Sequence, residues 1–287
     1  MHDRTLRIGL IADTHMPARW AALPASLPDI FAGVDLIFHA GDMGELWVLD
    51  ELSRIAPVVA VHGNDETAEA TAALPYRQTL GPLGRRLVLT HSHHQDPQRE
   101  VAIRANQTWG PKDDYWASLG KDHGADIVVF GHTHIPMAVE HGGISLINPG
   151  AIASASWFTR QTLQTVAVLT LGGPRSVSVS HFDVNSSTRI PIDLPAQRED
   201  FSRALKAVSE PDLQDSIGWV RDTLHPLAPA YVEEVLFSLC RKCWAGDRGI
   251  IGGTDVARAF TERADTPPAV IDALHSFPAL ALYLRDR

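Results

Sequence analysis

The sequence is poor in cysteine, in long apolar runs and in positive charge. Only Cys240 and Cys243 occur in 287 residues, a number and spacing that suit neither a disulfide framework nor a complete zinc site. Their spacing places both on one helix face, so we expect small core residues. No run approaches the ~18–20 apolar residues of a membrane span. With a formal net charge of -9, binding of a nucleic-acid duplex through its phosphates is not expected, because that affinity depends on Lys and Arg.

The remaining composition is that of a globular protein. Hydrophobic residues make up 45% of the chain and charged residues 21%, and the length allows one large domain or two modest ones. Residues 1–4 lead directly into a strand pattern, without the apolar segment of a signal peptide. We therefore expect a cytoplasmic protein.

Five apolar runs predict buried strands, and each is followed by side chains that can bind a metal. The runs are residues 6–12, 34–40, 58–62, 86–90 and 127–130. The side chains that follow them are, in order, Asp13 with His15, Asp42, Asn64, His91, and His132 with His134. Helical patterns at residues 44–55 and 98–106 separate some of these strands. Such alternation predicts an α/β fold with helices on its faces, in which the strand ends converge.

The converging side chains form a mixed oxygen and nitrogen donor set. Two carboxylates, one amide and four imidazoles suit Mn, Fe, Zn, Ni or Co better than Ca or Mg. Each residue taken singly is typical of a turn, a helix cap or an ordinary loop histidine. The residue preferences of turns do not, however, explain why all five successive strands end in side chains that can bind a metal. Seven ligands are too many for one ion, and with one bridging carboxylate they divide between two metals about 3.5–4 Å apart, the arrangement used for phosphoester hydrolysis.

The ordered set D-x-H, GD, GN, H and GHxH resembles the calcineurin-like metallophosphoesterase superfamily. It stands here at residues 13–15, 41–42, 63–64, 91 and 131–134. The segment Asn148-Pro149-Gly150 resembles that of the small bacterial and archaeal phosphodiesterase subgroup. The resemblance covers about residues 6–184. It implies a four-layer α-β-β-α sandwich of two mixed sheets.

The resemblance also implies how the ligands divide and what they do. One metal would be held by Asp13, His15, Asp42 and His134, and the other by Asp42, Asn64, His91 and His132. Asp42 would then bridge two divalent transition-metal ions, with manganese favoured and iron, zinc, nickel or cobalt as alternatives. A hydroxide shared by the ions would attack phosphorus. The amide of Asn64 would coordinate without adding negative charge.

One position departs from the family pattern. Many members have a histidine after the GN asparagine that is thought to protonate the leaving group, and this chain has Asp65 there. Asp65 would serve as an acid only if its pKa were raised. His93 is the other candidate for a catalytic or substrate-facing role, with His39, His62 and His94 as further options. Arg19 is a candidate phosphate contact, and a solvated loop arginine is the alternative.

The aromatic residues at positions 109–116 and the C-terminal part are less specific. Trp109, Tyr115 and Trp116 either stack a nucleic base or pack their segment onto the domain. Strand patterns at 144–147, 165–171 and 177–182 complete the second sheet. From about Arg189 the pattern becomes helical, which divides the chain into a metallophosphoesterase domain, residues 1–188, and a helical extension, residues 189–287. The extension is not basic, which argues against a DNA-binding helix-turn-helix. We expect it to serve as a lid over the metal site or as the contact of a homodimer.

The sequence thus predicts metal-dependent hydrolysis of phosphoesters, with a small-molecule phosphodiester, such as a cyclic nucleotide, favoured. The alternatives are a phosphomonoesterase or protein phosphatase, and a metal-binding interaction scaffold on the same fold. All seven ligand positions hold metal-competent residues, which favours catalysis over the scaffold.

Overall fold

A computed structural model describes residues 5–155, 159–173, 176–192, 198, 200–211, 219–244, 253–277 and 280. In these ranges the strands are β1 Leu6–Ile11, β2 Leu36–His39, β3 Val58–Ala60, β4 Arg77–Leu80, β5 Leu87–Thr90, β6 Ile127–Val129, β7 Met137–His141, β8 Ile144–Asn148, β9 Thr159–Gln161, β10 Thr165–Gly172, β11 Ser176–Asp183, β12 Thr188–Ile190 and β13 Ser209–Pro211. The helices are α1 Leu27–Ile30, α2 Trp47–Ser53, α3 Ala68–Ala73, α4 Pro97–Ala105, α5 Gly110–Asp122, α6 Phe201–Val208, α7 Pro229–Trp244, α8 Gly253–Thr261 and α9 Pro268–Leu274.

Two mixed sheets hold most of these strands. The first has the order β12-β11-β10-β1-β2-β3 and the second the order β4-β5-β6-β8-β7. Strands β10 and β11 were expected in the second sheet, but β10 pairs with β1 and both lie in the first. Strands β1, β2 and β3 run parallel to one another, and so do β5, β6 and β8. The carboxyl ends of parallel strands meet at one edge of a sheet, so the residues that follow these strands are brought together.

The central strands carry apolar side chains on both faces, and each face is covered by the other sheet or by helices. Between the sheets, Ile8 and Leu10 of β1 pack with Leu89 of β5 and their neighbours. On the outer face of the first sheet, helices α1 and α2 bury Leu27 and Leu52, among other residues. Gly9 faces this side, where a Cβ would lie 3.1 Å from the ring of Phe31.

The outer face of the second sheet is covered by helices α5 and α6. Val88 and Val128 of the sheet pack there with Trp116 and Val208. The layers therefore run helix, sheet, sheet, helix, which confirms the predicted four-layer α/β fold with a helical C-terminal part.

The predicted strands and helices on the path to the site are present, with ends shifted by a few residues. Strands β4 and β7 and helix α5 were not predicted. The aromatic segment at 109–116 lies at the start of α5, and Trp109 and Trp116 are buried at 5% and 3% exposure. Trp116 stacks on Phe130 at a ring distance of 4.1 Å. These two indoles pack the domain and are not free to stack a base, while Tyr115 is half-buried.

The chain divides into two compact units, 1–155 with 161–209, and 156–160 with 210–287. The predicted boundary at 188 differs from this division. Strand β12 pairs with β11 and α6 contributes Ala204 and Val208 to the first unit's core, so both elements belong to the sandwich.

The second unit is helical, as expected for this part of the chain. Its core includes Val232, Phe260 and Leu274. Cys240 and Cys243 belong to α7, and their side chains lie outside the described residues. The lid and dimer roles stay predictions. Among the described residues, the helices lack the length and apolar character that crossing a membrane requires.

Candidate metal centre

The loops after β1 and β2 lie side by side and are joined by backbone hydrogen bonds. The amide of Asp13 donates to the Gly41 carbonyl at 3.0 Å, and that of His15 to the Asp42 carbonyl at 2.9 Å. Asp13 and Asp42 are almost fully buried. The two carboxylates therefore face a common interior space at the edge of the sheets.

Two groups of potential ligands converge at this edge. One consists of Asp13, His15 and His134, and the other of Asp42, His91 and His132; within each group the ligand atoms lie within 4.8 Å of one another. His134 Nε2 is 3.2 Å from Asp13 Oδ1, and the rings of His15 and His134 stack at 5.6 Å. Six of the seven predicted ligands are thus brought together.

Asp42 lies between the two groups. Its Oδ2 is 3.2 Å from His91 Nε2 of its own group and 3.6 Å from His15 Nε2 of the other. Its Oδ1 accepts a hydrogen bond of 2.8 Å from the amide of Asp65. One carboxylate oxygen therefore faces an imidazole of each group.

Backbone carbonyls fix the orientation of two of the imidazoles. His91 Nδ1 is 2.9 Å from the carbonyl oxygen of Ala40, and His134 Nδ1 is 3.0 Å from that of Ala153. Because a carbonyl only accepts, Nδ1 of each ring carries a proton, and Nε2 is the nitrogen that each ring presents to the centre. Both Nε2 atoms face the carboxylates of the centre.

The loops are also held by polar residues that the motifs do not single out. The Glu66 carboxylate accepts from the amides of Met43, Gly44 and Gly63 at 2.7–3.1 Å, and burial raises its pKa to about 7. Asn148 of the NPG segment donates to the Gly131 carbonyl at 2.8 Å. These contacts tie the GD, GN and GHxH loops to their surroundings.

The GN segment shows why glycine precedes Asn64. A Cβ on Gly63 would lie 2.0 Å from Asp42 Oδ1 and 2.5 Å from the Asp42 nitrogen, distances that real contacts do not allow. Asn64 itself is exposed. Its position between Gly63 and Asp65, both in contact with Asp42, places its backbone at the second group of ligands.

Asp65 and Arg19 form an ion pair beside the first group. The Arg19 guanidinium donates to the Asp65 carboxylate and to the carbonyl of Ser154 at 3.1 Å. The hydrogen bond from His15 and the charge of Arg19 hold the pKa of Asp65 below its ordinary value. An acid would need the opposite shift. Arg19 is only 7% exposed, unlike the solvated loop arginine that was the alternative.

His93 lies next to the second group. Its ring is 5.6 Å from that of His91 and 6.4 Å from that of His132, and burial, together with the charge of His91, lowers its pKa to about 3. His62 and Tyr76 flank His93 at ring distances of 6.1 and 4.9 Å. His93 is therefore close enough to face a substrate, as a neutral imidazole.

His39 and His94 support the loops. His39 accepts from the amide of Gly41 at 3.2 Å and contacts the hydroxyl of Thr14 at 3.2 Å; burial lowers its pKa to about 3. His94 Nδ1 accepts from the amide of Asp96 at 2.9 Å. Neither belongs to the two ligand groups.

The electrostatics of the centre suit cations. Although burial acts to raise the pKa of Asp42, the imidazoles of His91 and His15 hold it well below its ordinary value. Burial acts to lower the pKa of His91, but the carboxylates of Asp42 and Asp13 raise it to about 9. The buried carboxylates stabilise positive charge on the imidazoles that face them. A divalent ion bound between the same groups would be stabilised in the same way. The donor set therefore fits transition metals.

Comparison with known proteins places most of the first unit in one family. Residues 6–173 match the family model of the calcineurin-like phosphoesterase superfamily domain. A probable metallophosphoesterase of Methanocaldococcus jannaschii is 34% identical over 148 residues, which are 51% of this chain and 68% of that protein. One of Methanothermobacter thermautotrophicus is 33% identical over 168 residues, 58% of this chain and 87% of that protein.

A phosphodiesterase of Escherichia coli, YfcE, is 30% identical over 113 residues, 37% of this chain and half of that protein. Among solved structures, vacuolar protein sorting 29 from Cryptosporidium parvum is similar with a TM-score of 0.52 at 20% identity, covering 65% of this chain and 95% of that one. That likeness concerns the fold alone. The family match spans more than half of the chain and includes every predicted ligand, and the chain belongs to the calcineurin-like phosphoesterase superfamily.

Proposed function

We propose that the chain hydrolyses phosphodiesters with two divalent metal ions, one held by Asp13, His15, Asp42 and His134 and the other by Asp42, Asn64, His91 and His132. The observation that carries the proposal is the position of Asp42. Its Oδ2 faces His91 Nε2 at 3.2 Å and His15 Nε2 at 3.6 Å, as a carboxylate shared by two ions must. The family match supports the hydrolase class.

Bound at these residues, two divalent ions would supply a nucleophile at neutral pH and charge stabilisation for the phosphoryl oxygens. The protein supplies the geometry. Asp13 and Asp42 bring the negative charge that holds the cations, and the carbonyls of Ala40 and Ala153 keep His91 and His134 in the tautomer that presents Nε2. Asn64 is next to the second group and is exposed, so its amide is accessible to an ion and to solvent.

A preference for diesters follows from the position after Asn64. There the Asp65 carboxylate is paired with Arg19 and has a lowered pKa, so it carries no proton for a leaving group. A substrate whose leaving group departs without a strong acid suits this arrangement, such as a cyclic nucleotide or an aryl diester. The phosphodiesterase named among the relatives also supports the diester class.

The test compares two substrates after removal of metals. Protein stripped by a chelator is titrated separately with Mn²⁺, Ni²⁺, Co²⁺, Zn²⁺ and Mg²⁺, and hydrolysis of bis-p-nitrophenyl phosphate is measured against p-nitrophenyl phosphate. We expect activity to return with a transition metal and to favour the diester. Preference for the monoester would overturn the diester assignment. Two bound ions without hydrolysis of either substrate would favour the scaffold.

Asp42→Asn tests the shared carboxylate directly. The amide keeps the shape of the side chain but not its charge, so we expect diester hydrolysis to fall by more than ~100-fold, beyond the loss usual for residues that only support a ligand. Asp50→Asn, an exposed aspartate on α2, is the matched control and should retain full activity. Substantial turnover by folded Asp42→Asn protein, as judged by circular dichroism, would contradict the assignment.

A further inference from the structure

Glu100 of helix α4 contacts one of the predicted ligands. Its Oε1 is 2.6 Å from His132 Nε2, and its side chain is only 15% exposed. Arg104 Nη2 also contacts His132 Nε2, but at 3.4 Å. The much shorter contact is to a carboxylate, which accepts, so His132 carries its proton on Nε2. Glu100 is not part of the family motifs. Helix α4 lies between two of them in the sequence, after His91 and before the GHxH segment.

The other nitrogen of His132 faces the centre. His132 Nδ1 is 3.1 Å from His91 Nε2, and both residues belong to the group that includes Asp42. This is the reverse of His91 and His134, which bind carbonyls through Nδ1 and present Nε2. His132 is therefore turned around relative to its two neighbours.

We propose that Glu100 is a positioning residue that fixes His132 in the Nε2–H tautomer and thereby makes Nδ1 its metal ligand. The proposal rests on the proposed metal centre. A carboxylate partner differs from the carbonyl partners of His91 and His134 because it carries charge. It increases the basicity of the ligating nitrogen and adds negative potential beside the second ion, both of which strengthen metal binding.

Glu100 is itself held in place from two sides. Its Oε1 accepts from Arg104 Nε at 2.6 Å, and its Oε2 accepts from the amide of His94 at 2.8 Å. The first contact lies within α4 and the second anchors the loop after β5. The carboxylate is thus fixed before any metal binds, and it connects the start of α4 to the loop that carries His91.

The first measurement is the tautomer of His132 in metal-free protein, read from the ¹⁵N chemical shifts of histidines labelled in the full chain at neutral pH. Wild-type protein should show the Nε2–H form of His132. Glu100→Ala should lose that preference, whereas Glu100→Gln retains a carbonyl oxygen that can accept and should keep much of it. Glu51→Ala is the control, because Glu51 of α2 also pairs with a nearby arginine, Arg54, at the end of that helix.

The second measurement is calorimetric titration of the same proteins with Mn²⁺ and, separately, Zn²⁺. We expect two ions in the wild type, and in Glu100→Ala a ~10–100-fold weaker affinity for one of them, the usual effect of removing a ligand's hydrogen-bond partner. Glu100→Gln should fall between the two, and Glu51→Ala should match the wild type.

The outcomes separate this proposal from the one on which it rests. Wild-type protein that binds no metal would contradict the metal centre itself. Two ions bound equally well by wild type and folded Glu100→Ala, or an unchanged His132 tautomer in that variant, would overturn the role of Glu100 and leave the metal centre intact.

Discussion

The candidate ligands stand on an unusual backbone. Left-handed φ values, between 44° and 70°, occur at Asp13, His15, Asp42, His132 and His134. Residues other than glycine adopt this region in only a few per cent of cases, and such strain concentrates at functional sites. The backbone turns at these residues, so that side chains two positions apart, such as those of His132 and His134, both point toward the candidate metal centre. In an extended segment they would face opposite ways.

Gly63→Ala tests how closely the GN loop approaches Asp42. The new Cβ would lie 2.0 Å from Asp42 Oδ1, so the loop or the carboxylate must move, and we expect a loss of roughly 1–3 kcal/mol of unfolding free energy together with weaker metal binding. Gly110→Ala is the control, since a Cβ there meets nothing within 4 Å. Urea unfolding and metal titration check both. Unchanged metal affinity in Gly63→Ala would contradict the close packing.

Residue patterns alone predicted the candidate ligands but not the residues that support them. Asp13, Asp42 and the histidines follow apolar strands, and this placement predicts their convergence. Glu66 and Glu100 follow no such rule. Glu66 acts through three backbone amides and Glu100 through a histidine 32 residues away, so their roles depend on how loops from separate strands meet. Sequence spacing does not contain that information.

At the scale of strands and helices, apolar runs were sufficient to predict the strands that are buried on both faces of a sheet. Strand β4 was missed because it lies at a sheet edge and its sequence, RQTL, is mostly polar. Helix α5 was missed because GPKDDYWASLGKD begins with glycine and proline and has charged residues, Lys112 and Asp113, among its buried positions. Its buried positions, Trp116 and Leu119 among them, are recognisable only once the second sheet is present to cover them.

His181 links the two sheets and makes stability depend on pH. Its Nε2–H donates to the carbonyl of Asn148 at 2.8 Å, which joins β11 of the first sheet to the end of β8 in the second. Burial lowers its pKa to about 4 from an ordinary value of 6.5. The unfolded chain takes up a proton near pH 6.5 and the folded chain does not, so this contribution is fully present above pH 6.5 and is lost as the pH falls toward 4.

We therefore expect the unfolding free energy of metal-free protein to decrease over that pH range, with His181 accounting for up to roughly 3 kcal/mol. His181→Gln keeps an N–H donor but does not titrate, so its pH dependence should be shallower than that of the wild type. Urea unfolding at several pH values measures this. An identical slope in the variant would show that His181 is not protonated on unfolding.

For the whole molecule, the division into two units locates the candidate centre in one of them. We propose that a chain ending after Pro211, which retains both strands of the β9–β13 pair, folds and binds metal, because all seven predicted ligands lie in the first unit. A chain ending at residue 188 lacks α6, whose Ala204 and Val208 are buried. It should melt lower, by roughly 2–4 °C for each kcal/mol of lost burial.

Thermal unfolding and metal titration of the two truncated chains test this. Equal melting temperatures would show that residues 189–211 add nothing to the sandwich and would favour the boundary expected from sequence. Loss of metal binding in the longer chain would show that the helical unit is needed for the centre.

The orientation of His134 depends on the carbonyl of Ala153, 19 residues farther along the chain, and the GHxH loop is tied to Asn148. A ribosome builds the chain from its amino end, so Asp13 and His15 leave the exit tunnel long before their partners exist. Until Ala153 has emerged, the nascent polypeptide carries loose acidic and imidazole groups but no assembled site. In the proposed centre, the complete ligand set can therefore hold metal only after the chain has been synthesised through Ala153.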